Sequence, residues 1–193
     1  MVQMASLPTP HLTEEEYLRI ERAAETKSEF HDGQMFAMAG GSLDHSVIGV
    51  NVCAILRGQA PSGCRTFSSD LRIRIISAGL YTYADGGVIC GDPQFEGDRS
   101  DIILNPLLIA EVLSPSTEGY DRGKKFELYR TIDSFKEYLI VHQDRYHVEH
   151  YSKQDDGSWL LREYTGPEAS VAVTRLNVRI SLADLYESAL DLS

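Results

Sequence analysis

The sequence predicts an α/β fold, and three observations predict it. Apolar runs of strand length occupy 107–113 and 137–142. An amphipathic helical stretch, 120–131, lies between them. Asp-Gly turns between apolar-rich arms punctuate the chain elsewhere. Strand, helix, strand in that order implies a crossover between parallel neighbours, right-handed by the general rule. At 193 residues the chain fits one domain spanning 1–193, able to bury about 70% of its unfolded surface, so folding requires no metal or disulfide staple.

Pro8 and Pro10 mark an extended leader over 1–11. Thr13 and Glu16 form a capping box that opens a helix to about Ala24, with Tyr17, Leu18 and Ile20 facing inward. Residues 28–39 read as a hairpin around Asp32-Gly33. After Gly40-Gly41-Ser42, apolar positions at Val47, Ile48, Val52, Ile55 and Leu56 predict a helix packed on a sheet. Residues 65–76 alternate Leu71, Ile73 and Ile75 with Arg72 and Arg74, which predicts a half-buried strand with solvent-facing arginines. A second strand is expected at 81–90, followed by a polar loop without periodicity. Beyond the strand at 137–142, residues 146–151 and 159–164 form a further hairpin through Asp155-Asp156-Gly157, and 181–190 a closing helix.

Composition narrows the function. Cys53, Cys64 and Cys90 are odd in number and lack zinc-like spacing, which predicts free core thiols and a reducing compartment. No basic-then-apolar leader and no membrane-length apolar run occurs, so a cytoplasmic protein is expected. The net charge of -11 argues against a broad electrostatic footprint on nucleic acid.

The candidate site begins with Glu111, the single carboxylate in LLIAEVL. An ionised group in a strand buried on both faces costs several kcal/mol unless a cation compensates it. A buried ion pair satisfies that need without any function. Asp85, isolated on the preceding predicted strand, adds a second acid, and two such carboxylates suit a hard divalent cation that bridges to phosphate. On the following helix Asp121, Lys125 and Tyr129 share one stripe, while Lys124 points about 100° away. Lys125 is therefore the better partner. His45 could bind phosphate or simply satisfy its helix start. Asp70 reads equally as an acid facing the metal or as a solvated edge charge beside Arg72 and Arg74; Ser114, Ser116 and Thr117 read as loop and capping residues, and His142, His147 and His150 as surface residues.

At these positions the sequence resembles the restriction endonuclease family of the Uma type, within the PD-(D/E)XK nuclease superfamily. The matching pieces are E-F-H-D-G from Glu29, M-A-G-G-S-x-x-H from Met38, S-S-D-L-R from Ser68, Y-A-D from Tyr83, N-P-L-L-I-A-E-V-L-S-P-S-T from Asn105 and Y-D-R-G-K-K-F-x-x-Y from Tyr120. The resemblance implies a restriction-endonuclease-like core, a mixed central β-sheet flanked by α-helices with an additional β-hairpin. It implies a Mg²⁺ (or Mn²⁺) site formed by Asp85, Glu111 and the Val112 carbonyl. Lys125 would orient water or stabilise developing charge, and Glu29 would be the extra acid. DNA as substrate and a homodimer follow from the same resemblance. Two departures stand out: Ala84 replaces the motif's proline, and Leu113 replaces the lysine two residues after Glu111. A nuclease-fold binding or regulatory protein without turnover is the alternative.

Overall fold

The computed structural model describes residues 11–38 and 40–190, so all of the expected leader but His11 lies outside the described residues. The first helix, α1 (Glu14–Glu21), is capped as predicted: the Thr13 hydroxyl accepts the Glu16 N–H, and the Glu16 carboxylate accepts the Thr13 N–H. Strands β1 (Ser28–His31) and β2 (Gln34–Ala37) pair antiparallel. Their turn places Asp32 and Gly33 at φ 49° and 75°, the left-handed conformations a two-residue hairpin requires. Ser42 caps the long helix α2 (Leu43–Gln59).

The strand expected at 65–76 is two strands, β3 (Cys64–Ser68) and β4 (Arg72–Ile75). The strand expected at 81–90 is likewise β5 (Leu80–Tyr83) and β6 (Gly86–Cys90). Because β3 pairs with β6 and β4 with β5, they form one long hairpin that bends at 69–71 and at 84–85. The bend carries the chain from one sheet into another. Ser69-Asp70 and Asp85-Gly86 are the local marks of the bend, but the change of sheet depends on which strands lie alongside.

Next come β7 (Ile102–Ile103), directly after the expected polar loop, and β8 (Leu108–Leu113). The crossover consists of α3 (Glu118–Tyr120), a π-helical turn (Asp121–Lys125) and α4 (Phe126–Tyr129). It leads to β9 (Glu137–His142), parallel to β8 as predicted. The hairpin β10 (His147–Lys153) and β11 (Trp159–Thr165) follows. A pair not foreseen, β12 (Ser170–Val173) and β13 (Val178–Ser181), precedes α5 (Leu182–Leu185), which is much shorter than the helix expected at 181–190.

The architecture is mixed α/β. One sheet has the order β2-β1-β5-β4-β7, the second β11-β10-β9-β8-β6-β3. Alternation along β8 divides its side chains: Leu108, Ala110 and Val112 pack with Ile48, Val52 and Leu56 of α2. Ile109 and Leu113 pack with Phe126, Tyr129, Phe135 and Tyr138. Glu111 alternates with this second set and so faces the crossover helix.

Two expectations are corrected by burial and pairing. Arg72 and Arg74 are buried, because α1 and the 91–101 segment cover their face of the sheet. Arg72 donates to the Tyr83 hydroxyl at 2.7 Å, and Arg74 pairs with Glu14 at 2.8 Å and Glu96 at 3.3 Å. Cys64 and Cys90, expected as free thiols, are cross-strand partners joined in a disulfide with a Cα separation of 4.0 Å. Cys53 alone is free among the described residues, so the thiol argument for a reducing compartment lapses.

Gly87 allows β6 to approach β8 closely. A Cβ there would meet the Phe67 ring and lie 2.6 Å from the Leu108 carbonyl oxygen. Gly87→Ala is therefore expected to destabilise the protein by about 2–3 kcal/mol in chemical denaturation. A variant as stable as the parent would show that the strands have room to part.

Candidate active site

The bend between β5 and β6 creates the site. Past Gly86, which pairs with Ala110, β6 leaves β8, and the next N–H of β8, that of Val112, needs a new acceptor. Asp85 supplies it: the Val112 N–H donates to Asp85 Oδ2 at 2.7 Å. On the other side of the bend Thr82 of β5 donates to Glu29 Oε1 of β1.

Lys125 enters from the π turn. Its Nζ lies 2.9 Å from Glu111 Oε1, 3.4 Å from Glu29 Oε1 and 3.6 Å from Asp121 Oδ1, and donates to the Tyr83 carbonyl at 3.0 Å. The Tyr129 hydroxyl donates to the same Glu111 oxygen at 2.9 Å. Asp121, Lys125 and Tyr129 thus face the sheet together, as their spacing predicts, while Lys124 is exposed beside Glu127. The π turn is a local widening of the helix, a feature that often accompanies functional positions.

Burial pushes the Glu111 carboxyl well above the ordinary range; Lys125 opposes this, while Asp121 and Asp85 push it further up. Burial raises Asp121 too. Burial alone would lower Lys125, but Glu111, Tyr129, Glu29 and Asp121 more than offset it and hold the amine charged. We take the lysine as charged, since its Nζ meets both a carboxylate and a carbonyl at hydrogen-bond distance. The upward shifts of the two acids express burial first and the neighbouring carboxylates second. Glu29, Glu111 and Asp121 meet one ammonium, and Asp85 adds a fourth carboxylate close enough to raise Glu111.

That donor set fits a hard divalent cation. Among the described residues, Glu111 accepts hydrogen bonds only through Oε1 and the Asp85 side chain only through Oδ2, which leaves one oxygen on each without a partner. Carboxylate oxygens beside surplus negative charge are what Mg²⁺ or Mn²⁺ takes. The Val112 N–H is turned toward Asp85, on the edge of β8 that β6 has left.

Other candidates fall in different places. His45 Nε2 stands 3.6 Å from Asp85 Oδ2, at the start of α2 beside the site. Asp70 is exposed and pairs with Lys27. Ser114 and Thr117 bond to one another in the loop after β8. His142 and His150 are buried and His147 is half-buried, contrary to the surface reading, because β10 lies between β9 and β11 and brings carboxylate partners to them. A cluster of His142, His147 and Glu149 escaped the sequence reading altogether. A polar concavity of about 380 Å³ is lined by Ser152, Lys153, Arg162 and Arg175 among others, none of them in the acid cluster.

A parallel β8–β9 pair with its helical crossover, and acids gathered around a lysine at a bend between two sheets, define a nuclease-like α/β architecture. Residues 14–183 match the family model Uma2, described as "Putative restriction endonuclease", and the chain belongs to that family. It is 42% identical over 160 residues to the uncharacterized protein slr1290 of Synechocystis sp. (strain ATCC 27184 / PCC 6803 / Kazusa), covering 82% of this chain and 83% of that one. It is 38% identical over 176 residues to the uncharacterized protein sll1609 of the same organism, covering 91% and 99%. The fold is similar to the crystal structure of a putative nuclease belonging to DUF820 from Anabaena variabilis ATCC 29413. The TM-score is 0.71 at 20% identity, over 91% of this chain and 98% of that one. No helix among the described residues is long and apolar enough to cross a membrane.

Lys125→Met leaves Glu111 buried without its ammonium and is expected to cost about 3–5 kcal/mol at neutral pH. Burial raises Glu111 above its ordinary 4.5, so ionising it in the folded state opposes folding as pH rises past that value, and more so without the ammonium. The parent's ammonium, raised above 10.5, keeps its contribution until strongly alkaline pH. Urea denaturation should therefore show a larger loss in the variant at about pH 8 than at about pH 5. Equal losses at both would contradict the pairing.

Proposed function

We propose that this protein is a Mg²⁺- or Mn²⁺-dependent endonuclease that hydrolyses DNA phosphodiester bonds. The observation that supports this most is the excess of four carboxylates over one ammonium at the bend, with an unpartnered oxygen on Asp85 and another on Glu111. Asp85, Glu111 and the Val112 carbonyl would hold the cation, which when bound supplies the Lewis acidity that acidifies water and neutralises phosphate charge. Glu29 adds a further acid and anchors Lys125 from β1.

The protein's own groups perform the positioning. Lys125 lends its positive charge to the oxygens around the five-coordinate phosphorus of the transition state and orients the attacking water, the task that Leu113 cannot take. Tyr129 and the Tyr83 carbonyl fix the Lys125–Glu111 pair in place, so neither group reorganises as charge develops. A duplex has two strands to cut, so a homodimer with two such sites goes with this reading, as does a cytoplasmic setting where DNA is at hand.

A second reading has one observation in its favour. The ammonium of Lys125 lies 2.9 Å from Glu111, so a cation already serves the buried acid, and a nuclease-fold binding protein needs no more than that.

Incubation with DNA and Mg²⁺ or Mn²⁺ separates the two. The parent is expected to cleave, and Asp85→Ala and Glu111→Ala to lose on the order of a hundredfold or more in rate, as removal of several kcal/mol of charge stabilisation implies. Cleavage undiminished in both variants would refute the assignment. A parent that binds DNA without cutting it under either ion would favour the binding protein.

A further inference from the structure

We propose that His142, His147 and Glu149 form a second, separate metal site, selective for an imidazole-loving ion such as Zn²⁺, from which the ion displaces the guanidinium of Arg122. The site follows from register. β9 and β10 pair with Val141 opposite Val148, which sets His142 opposite His147 at the mouth of the hairpin. Glu149, two residues along β10, shares the face of His147. One ligand atom from each of the three lies within 4.8 Å of the others, and the two imidazole rings meet edge to face at 4.7 Å. Among the described residues no other set of His, Cys, Asp and Glu gathers three ligand atoms so closely.

The rings are also held from behind, as ligand histidines are. His142 Nε2 lies 2.6 Å from Arg122 Nη2. A guanidinium can only donate, so that nitrogen carries a lone pair facing into the cluster. Its Nδ1 faces Asp144 at 3.8 Å. His147 Nδ1 is bonded to the Thr165 hydroxyl at 2.9 Å, and its Nε2 stands 3.5 Å from Glu163 Oε1 without a hydrogen bond. The Tyr151 hydroxyl orients Glu149 through Oε2 at 3.0 Å. Two histidines and one carboxylate, with His147 and Glu149 each hydrogen-bonded to an outer partner, are a ligand set for a first-row transition ion rather than for Mg²⁺.

Arg122 holds the place of that cation. Its Nε lies 2.9 Å from Glu149 Oε1, and its Nη1 reaches the exposed Glu118. Glu118 offers it an alternative anchor when an ion enters, so displacement does not strand the guanidinium. Arg122 lies in the π turn between Asp121 and Lys125, whose side chains face the acid cluster. Occupation of the second site would therefore release a tether on the helix that carries Lys125. Competition with Arg122 also predicts that affinity rises when the arginine is removed.

The test uses the full, untagged chain and Co²⁺, whose visible absorption reports nitrogen ligation, with Zn²⁺ as competitor. We expect one equivalent of Co²⁺ to give a visible band that Zn²⁺ abolishes. Affinity should fall by on the order of tenfold or more in His147→Gln, a half-buried position, and rise by a similar factor in Arg122→Gln. Asp85→Asn should leave both unchanged, which separates this site from the acid cluster. Absence of the band in both the parent and Arg122→Gln would overturn the proposal. A band that His147→Gln leaves unaltered would do the same.

Discussion

The ammonium of Lys125 is the interaction on which the rest of the site depends. It comes from the crossover helix, yet its contacts lie on three different elements: Glu111 on β8, Glu29 on β1 and the Tyr83 carbonyl at the end of β5. One charge thus ties the helix to both sheets at the point where they separate. Without it, β8 would carry an ionised carboxylate in an otherwise apolar strand, a condition that costs several kcal/mol. With it, Glu29, Glu111 and Asp121 are held around one charge, while the Val112 N–H holds Asp85 beside them. The same charge is too small to neutralise them all, which gives the cluster its capacity for a further cation.

The second constraint is the bend in the long hairpin. A straight strand from 81 to 90 would have kept Asp85 in a ladder, its backbone bonded and its side chain on a face of the sheet. By leaving β8 at Gly86, the chain obliges the Asp85 carboxylate to satisfy the Val112 N–H and so delivers it beside Glu111. Gly87 permits the close approach just beyond. An irregularity in the sheet therefore positions the acid, as sheet bends and bulges commonly do near functional residues.

What was legible in the sequence was local or periodic. The capping box at Thr13, the Asp32-Gly33 hairpin and the choice of Lys125 over Lys124 each rest on a spacing of a few residues, and each is present in the structure. What was not legible depends on register between strands far apart in sequence. The Cys64–Cys90 pairing, the burial of Arg72 and Arg74, and the meeting of His142 with His147 follow from which residues stand opposite one another or what covers them. The bend escaped for a related reason: Ser68-Ser69-Asp70 and Asp85-Gly86-Gly87 interrupt the apolar pattern, but which sheet each half joins depends on its strand partners. Asp121 lay on the predicted stripe with Lys125, but only the π turn and the burial of both reveal it as part of the cluster.

The central claim is that the carboxylates around Lys125 form a divalent-cation site and are not merely a lysine-neutralised ion pair. Anomalous diffraction from a crystal soaked in Mn²⁺ tests it directly. A peak is expected within coordination distance of the free oxygens of Asp85 and Glu111, with Lys125 still bonded to Glu111. A saturated soak that gives no peak there, with the Lys125–Glu111 contact unchanged, would contradict it.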